Sequence, residues 1–137
     1  MIRILFDENY SPHLIEGLSI LEKANYRSQF PEEVMDIRKV AKKQGAADDE
    51  VIEIAGNIGA IIFTQDTDFK KLKHKAPLYR KFNTGVVFFH SSGNKIIFWD
   101  TVINIIKYWE HLKEQITNSI PPFVLKVTKH GVERLHF

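Results

Sequence analysis

The sequence predicts an α/β domain: a mainly parallel sheet of about four strands, completed by a C-terminal helix and a β-hairpin. Three observations predict it. Short apolar runs rich in β-formers (Ile2 to Phe6, Ala60 to Thr64, Val86 to His90) alternate with segments of helical periodicity, and such alternation demands crossover connections between parallel strands. Two of these runs end abruptly in acids, as buried strands do at a functional edge. The last stretch switches from helical to two-residue periodicity, the signature of a terminal hairpin. At 137 residues and 44% apolar content the chain suits one core, so a single domain over 1–137 is expected.

In chain order, Ile2 to Phe6 is the first strand and stops at Asp7-Glu8-Asn9. Ser11 followed by Pro12 is an N-cap with proline at the first helical position, and Leu14, Ile15, Leu18 and Leu21 continue at helical spacing to about Ala24. Asn25 to Glu33 contains Pro31 and has no period, which reads as a loop into a second strand, Val34 to Arg38, although Val34 to Lys43 also fits a helix. Gly45-Ala46-Ala47 breaks the chain before Asp48-Asp49-Glu50, where acids in a first turn favour a helix start. Val51, Ile54, Ala55 and Ile58 form its apolar face, and Gly59 ends it.

Ala60 to Thr64 is the third strand, closed by Gln65-Asp66-Thr67-Asp68-Phe69. A basic stretch from Lys70 to Lys81 leads to the fourth strand, Val86 to His90, and Ser91-Ser92-Gly93 reads as a turn. A long helix starting at Asn94 or Asp100 carries Val102, Ile105, Ile106, Trp109, Leu112 and Ile116 on one stripe until Pro121-Pro122 stops it. The Trp99 and Trp109 positions fit core or a partner-facing seam better than a base-stacking platform. Phe123 to Thr128 and Val132 to Phe137 form the hairpin around Lys129-His130-Gly131.

Composition excludes several chemistries. The absence of cysteine removes disulfides, thiolate catalysis and Cys-based metal sites, and it is compatible with the reducing cytoplasm expected for this chain. The N-terminal apolar run is too short for a signal peptide, and no stretch reaches the roughly 18 apolar residues of a membrane span. The six histidines show no paired ligand spacing, and no Gly-rich phosphate loop is present. A formal charge of +2 is too small to argue for nucleic acid by itself.

The chemistry lies in the acids. In open parallel sheets ligands bind outside the carboxyl ends of the strands, near the point where strand order reverses. Asp7, Asp66 and Asp68 all sit at that edge, and Asp48, opening the helix between the first and third strands, can join them. Packed carboxylates repel one another and raise pKa values unless a cation neutralises them. An all-oxygen set suits Mg²⁺ or Mn²⁺, with Asp7, Asp66 and Asp68 as candidate ligands and the same three with Asp48 as candidate catalytic residues. Candidate phosphate contacts are Arg38, at the end of the second strand, and Lys70, Lys71 and Lys73 in the basic rim, while Thr64 can orient a water or ligand oxygen.

Simpler roles compete at each position. Asp7 and Asp48 can cap the turn or helix they begin, Asp68 can cap a short helix at Lys70, and Glu8 reads as a solvated neighbour. The lysine rim can be an ordinary charged face.

The strings Leu5-Phe6-Asp7-Glu8-Asn9, Ala47-Asp48-Asp49-Glu50-Val51-Ile52 and Ile62-Phe63-Thr64-Gln65-Asp66-Thr67-Asp68-Phe69 resemble the compact PIN-like family, known mainly as predicted toxin components of bacterial toxin–antitoxin pairs. The resemblance spans roughly Met1 to Phe69, and T-x-D-x-D-F after an apolar strand is its most specific element. It implies a three-layer α/β/α PIN-like sandwich and Mg²⁺- or Mn²⁺-dependent RNA cleavage. Asp7 looks like the family's first acid, Asp48 like the acid opening the middle helix, Asp66 like the acid after the strand and Asp68 like its companion. It further implies an RNA substrate, a cognate antitoxin and a homodimer. Departures from the pattern are a shortened middle, Asp rather than Glu at Asp48, and His90 where compact relatives often place Arg.

The leading expectation is therefore a metal-dependent ribonuclease acting as a toxin. A catalytically inactive PIN-like protein- or RNA-binding module is the alternative, and a phosphatase using Asp66-x-Asp68 to form an aspartyl phosphate ranks below both.

Overall fold

The structure, a computed structural model, describes residues 1–25, 27, 30, 32–90 and 97–137. Several expectations therefore fall partly or wholly outside the described residues: much of the loop before the second strand, the Ser91-Ser92-Gly93 turn, and a helix start at Asn94.

Among the described residues the order is β1 (Ile2–Phe6), α1 (Pro12–Ala24), β2 (Glu32–Asp36), α2 (Ile37–Val40), α3 (Asp48–Ile58), β3 (Ala60–Thr64), a 3-10 turn (Thr67–Lys70), α4 (Leu72–Phe82), β4 (Gly85–Phe89), α5 (Phe98–Thr117), β5 (Phe123–Thr128) and β6 (Gly131–Leu135). Six strands form one sheet in the order β2-β1-β3-β4-β5-β6. All neighbours pair in parallel except β5 and β6. The hairpin is therefore not an appendage: its first strand continues the parallel sheet beside β4, with Gly85 opposite Phe123 and Phe89 opposite Val127.

Strand side chains alternate between two cores. On one face Ile4, Phe6, Phe63, Val87 and Leu125 pack under α1 and α5. On the other, Leu5, Ile62, Val86 and Val124 pack under α2, α3 and α4. The result is a three-layer α/β/α sandwich with buried central strands, which is why those strands read as continuous apolar runs rather than alternating ones.

Three elements differ from the sequence expectation. The second strand ends two residues early, because the Asp36 side chain accepts the Arg38 amide at 3.0 Å and opens α2. Arg38 thus lies in a helix and not at a strand end. The basic stretch forms α4, with Pro77 inside it. Ile106 leaves the expected stripe of α5 and is exposed; of the two tryptophans, Trp109 is core and Trp99 is exposed.

Across α1, β2 and α5 lies a buried ionic cluster. Lys113 Nζ, fully enclosed, lies 3.3 Å from Glu32, 3.4 Å from Glu22 and 2.8 Å from Glu110, and Trp109 Nε1 donates to Glu22. Burial and the neighbouring Glu22 push the Glu32 carboxyl up to about 8, while hydrogen bonds and Lys113 hold Glu22 below the usual range despite burial. Glu32 is thus the protonated member at neutral pH, beside the Glu22 carboxylate and the Lys113 ammonium. No helix among the described residues is long and apolar enough to cross a membrane.

Candidate active site

Strand order reverses at β1, which has β2 on one side and β3 on the other. The crevice outside the carboxyl ends of β1 and β3 is therefore the place where such sheets bind ligands. Asp7 enters it one residue past β1, its amide still donating to Phe63 O at 3.2 Å and so extending the ladder. Asp66 enters two residues past β3, and Asp48 from the first turn of α3, whose acids suit the positive end of the helix dipole.

One carboxylate oxygen from each of Asp48, Asp66 and Asp68 lies within 4.8 Å of the other two. Asp7, expected as a ligand beside Asp66 and Asp68, is not one of the three clustered carboxylates; it is nearly buried and feels the charges of Asp66 and Asp48. Its Oδ1 accepts the Asn9 amide at 3.0 Å, and its Oδ2 accepts the Thr64 hydroxyl. That same hydroxyl accepts the Asp66 amide at 3.0 Å, and Asp66 Oδ1 accepts the Asp68 amide at 3.0 Å, capping the 3-10 turn. Asp7, Thr64, Asp66 and Asp68 thus form one hydrogen-bonded chain across two adjacent strands.

The capping roles are partly real. Asp7 turns the chain at Asn9 with one oxygen, and it is Asp66 rather than Asp68 that caps the turn before Lys70. Asp48 caps nothing, since the N-cap position of α3 is Ala47.

The acids share one field. Burial pushes the Asp7 carboxyl up to about 6; the Thr64 and Asn9 hydrogen bonds oppose this, and the Asp66 and Asp48 charges reinforce it. Asp48 is likewise raised, first by burial and then by Asp66, with Lys75 opposing. Asp68 is lowered by its hydrogen bond and ion pair with Lys71, 2.7 Å away.

The expected RNA-binding residues separate. Thr64 is wholly buried and its hydroxyl is taken up within the acid chain, so it presents nothing to a ligand. The Arg38 guanidinium is turned inward, with Nε 2.9 Å from Asp36 and Nη2 2.8 Å from Tyr10 O. Lys70 lies over the Phe88 ring, Lys71 pairs with Asp68, and Lys73 is exposed.

Two charged neighbours of the site carried little sequence signal. Lys75, one of several rim lysines in the sequence, bridges α4 to α3 at 3.7 Å from Asp48 and 3.3 Å from Asp49. Asp36 ends β2 opposite Phe6, is buried and pairs with the half-buried Arg38; set between Met35 and Ile37, it closes no apolar run in the sequence.

The donor set fits a hard divalent cation. It is made of oxygen alone, it concentrates more negative charge than Lys71 and Lys75 balance, and its geometry is fixed by backbone amides. Fold and site together define an α/β/α domain with an acidic centre at the switch point of a parallel sheet.

Comparison with family models places it more closely: the model of the PIN-like domain matches residues 2–91, and the chain belongs to that family. All four acids lie inside the match, and α5 and the hairpin lie outside it. No curated protein and no solved structure matches the chain. PIN-like domains are commonly nucleases that use divalent metals.

Proposed function

We propose that this chain is a Mg²⁺- or Mn²⁺-dependent ribonuclease that hydrolyses RNA phosphodiester bonds, and that it serves as the toxin of a toxin–antitoxin pair. The observation that carries the nuclease reading is the convergence of Asp48, Asp66 and Asp68 within 4.8 Å, backed by Asp7, inside the family-matched region. Asp48, Asp66 and Asp68 would hold the cation, with Asp7 adjacent. When bound, it supplies Lewis-acid stabilisation of the charge that develops on a phosphodiester under displacement.

The chain's own residues do the positioning. The Asp68 amide fixes the Asp66 carboxylate, and the Thr64 hydroxyl fixes that of Asp7, so neither reorganises during reaction. Lys75 offsets part of the charge on Asp48. Lys73, exposed near the start of α4, is placed for the RNA backbone, which a cation tracks without reading sequence.

The test is cleavage of labelled RNAs of varied sequence by purified protein in Mn²⁺ or Mg²⁺. Asp66→Asn and Asp7→Asn are expected to reduce the rate by at least about a hundredfold, in line with loss of preorganised charge stabilisation. Wild-type protein that leaves all the RNAs intact at high Mn²⁺ sinks the proposal. The toxin role predicts growth arrest on expression that Asp66→Asn relieves. Arrest that persists in Asp66→Asn favours the inactive binding module.

A further inference from the structure

The acidic centre occupies one end of a row that crosses β1, β3, β4 and β5. Strand side chains alternate between faces, and Leu5, Ile62, Val86 and Val124 all pack toward α2, α3 and α4. Two residues further along, Asp7, Thr64, Phe88 and Lys126 face the same way. The register sets them side by side: the Asp7 carboxylate accepts the Thr64 hydroxyl, Thr64 is opposite Phe88, and Phe88 is opposite Lys126. Lys126 therefore stands two strand spacings from Thr64, about 10 Å, at the same edge of the sheet.

Two ammoniums and an imidazole gather at that far end. Lys70 Nζ lies 5.3 Å over the Phe88 ring, and the His90 ring, next on the same face of β4, is 6.4 Å from that of Phe88. Burial, then the charges of Lys126 and Lys70, hold the His90 imidazole below its usual range, so both ammoniums bear on it. Lys71 and Lys75 are taken up by Asp68, Asp48 and Asp49. Among the described residues Lys70 and Lys126 form no such ion pair, and Glu133, opposite Lys126 on β6, makes none with it. Ammoniums brought together without a counter-charge repel one another, and a bound polyanion relieves that repulsion.

We propose that this end of the row is the track along which the substrate chain leaves the acidic centre, with Lys70 and Lys126 pairing phosphates next to the scissile one and His90 donating beside them. A phosphodiester chain fits because it presents negative charge at both ends of the row at once: one phosphate meets the cation held by the acids, and its neighbours need partners that the acids do not supply. That the chain is RNA rests on the nuclease reading. Lys126, on β5, lies outside the residues matched by the family model.

The test is fluorescence anisotropy of a labelled single-stranded RNA with the full chain, titrated at several salt concentrations in chelator so that nothing is cut. Lys126→Gln and Lys70→Gln are each expected to weaken binding at least about threefold and to lower the log–log salt slope by about 0.7, the single-strand value for one phosphate contact. Lys126→Arg should keep both affinity and slope, and Glu133→Gln should tighten binding. Lys23→Gln, in the last turn of α1, should change neither. Wild-type affinity and slope in Lys126→Gln overturn the proposal, as does an equal loss in Lys23→Gln or a wild-type chain that binds no RNA at about 50 mM salt. RNA bound with these effects but left whole in Mn²⁺ removes the nuclease reading and keeps the track. RNA cut by the wild type, with a salt slope that neither lysine variant alters, removes the track alone.

Discussion

Asp7 is an acid whose burial keeps it protonated up to about pH 6 in the metal-free protein. Its folded pKa lies above the unfolded 3.8, so the stability linked to it is complete below pH 3.8 and is lost as pH rises to about 6. The loss is about 3 kcal/mol. Asp7→Asn, which cannot ionise, is therefore expected to gain about that much on wild type between pH 4 and pH 7, as read from urea unfolding with a chelator present. Divalent cation should erase the gain, because the charged carboxylate then has a partner. Thr64→Val removes a hydrogen bond that lowers the Asp7 pKa and leaves the Asp66 amide without an acceptor. It should raise the metal concentration needed for half-maximal binding by about tenfold, measured by Mn²⁺ titration calorimetry. The positions of the acids were readable in the sequence, because a carboxylate directly after a buried strand or at a helix start has few places to go. Inward turns were not readable. Whether Arg38 faces solvent or Asp36, and whether Thr64 meets ligand or Asp7, depends on two residues of strand register that no local pattern sets.

At the level of elements, the site depends on how closely α3 and α4 approach, since Asp48 rides on one and Lys75 on the other. Gly56 permits that approach. A Cβ there would run into the carbonyl oxygen of Phe82 and lie 2.8 Å from its Cβ. Gly56→Ala should cost about 1–3 kcal/mol in urea unfolding despite alanine's better helix propensity, because the two helices must move apart. Lys75→Met should act in the opposite sense on metal binding. Removing an ammonium that competes for Asp48 is expected to tighten Mn²⁺ binding several-fold, and unchanged or weaker binding would contradict the assigned role. The strands β1 and β3 and the helices α1 and α3 were legible from apolar period and caps. Helix α4 was not, because four Lys and Arg residues and Pro77 dilute the apolar period, and only Ala76 and Tyr79 of α4 are buried. The end of β2 was misplaced because Ile37 continues the apolar run while the Asp36 side chain has already turned the backbone.

For the whole molecule, the layer of α1 and α5 is tied to the sheet edge by Lys113, Glu22 and Glu32. Lys113→Met leaves the Glu22 carboxylate with no adjacent ammonium, and should cost about 3–5 kcal/mol in urea unfolding. Glu32→Gln in that background should recover part of it. The family match ends at residue 91, yet β4 has its outer edge hydrogen-bonded to β5, and the core beneath Phe63 and Phe89 is closed by Ile105, Trp109 and Leu112 of α5. All four acids therefore belong to a segment that does not bury its own core. During synthesis that segment leaves the ribosome first, with the edge of Gly85–Phe89 bare and one face of the sheet open to water. The last third of the chain therefore closes the scaffold from outside: β5 covers the edge of β4, and α5 shuts the core beneath the strands that carry the acids.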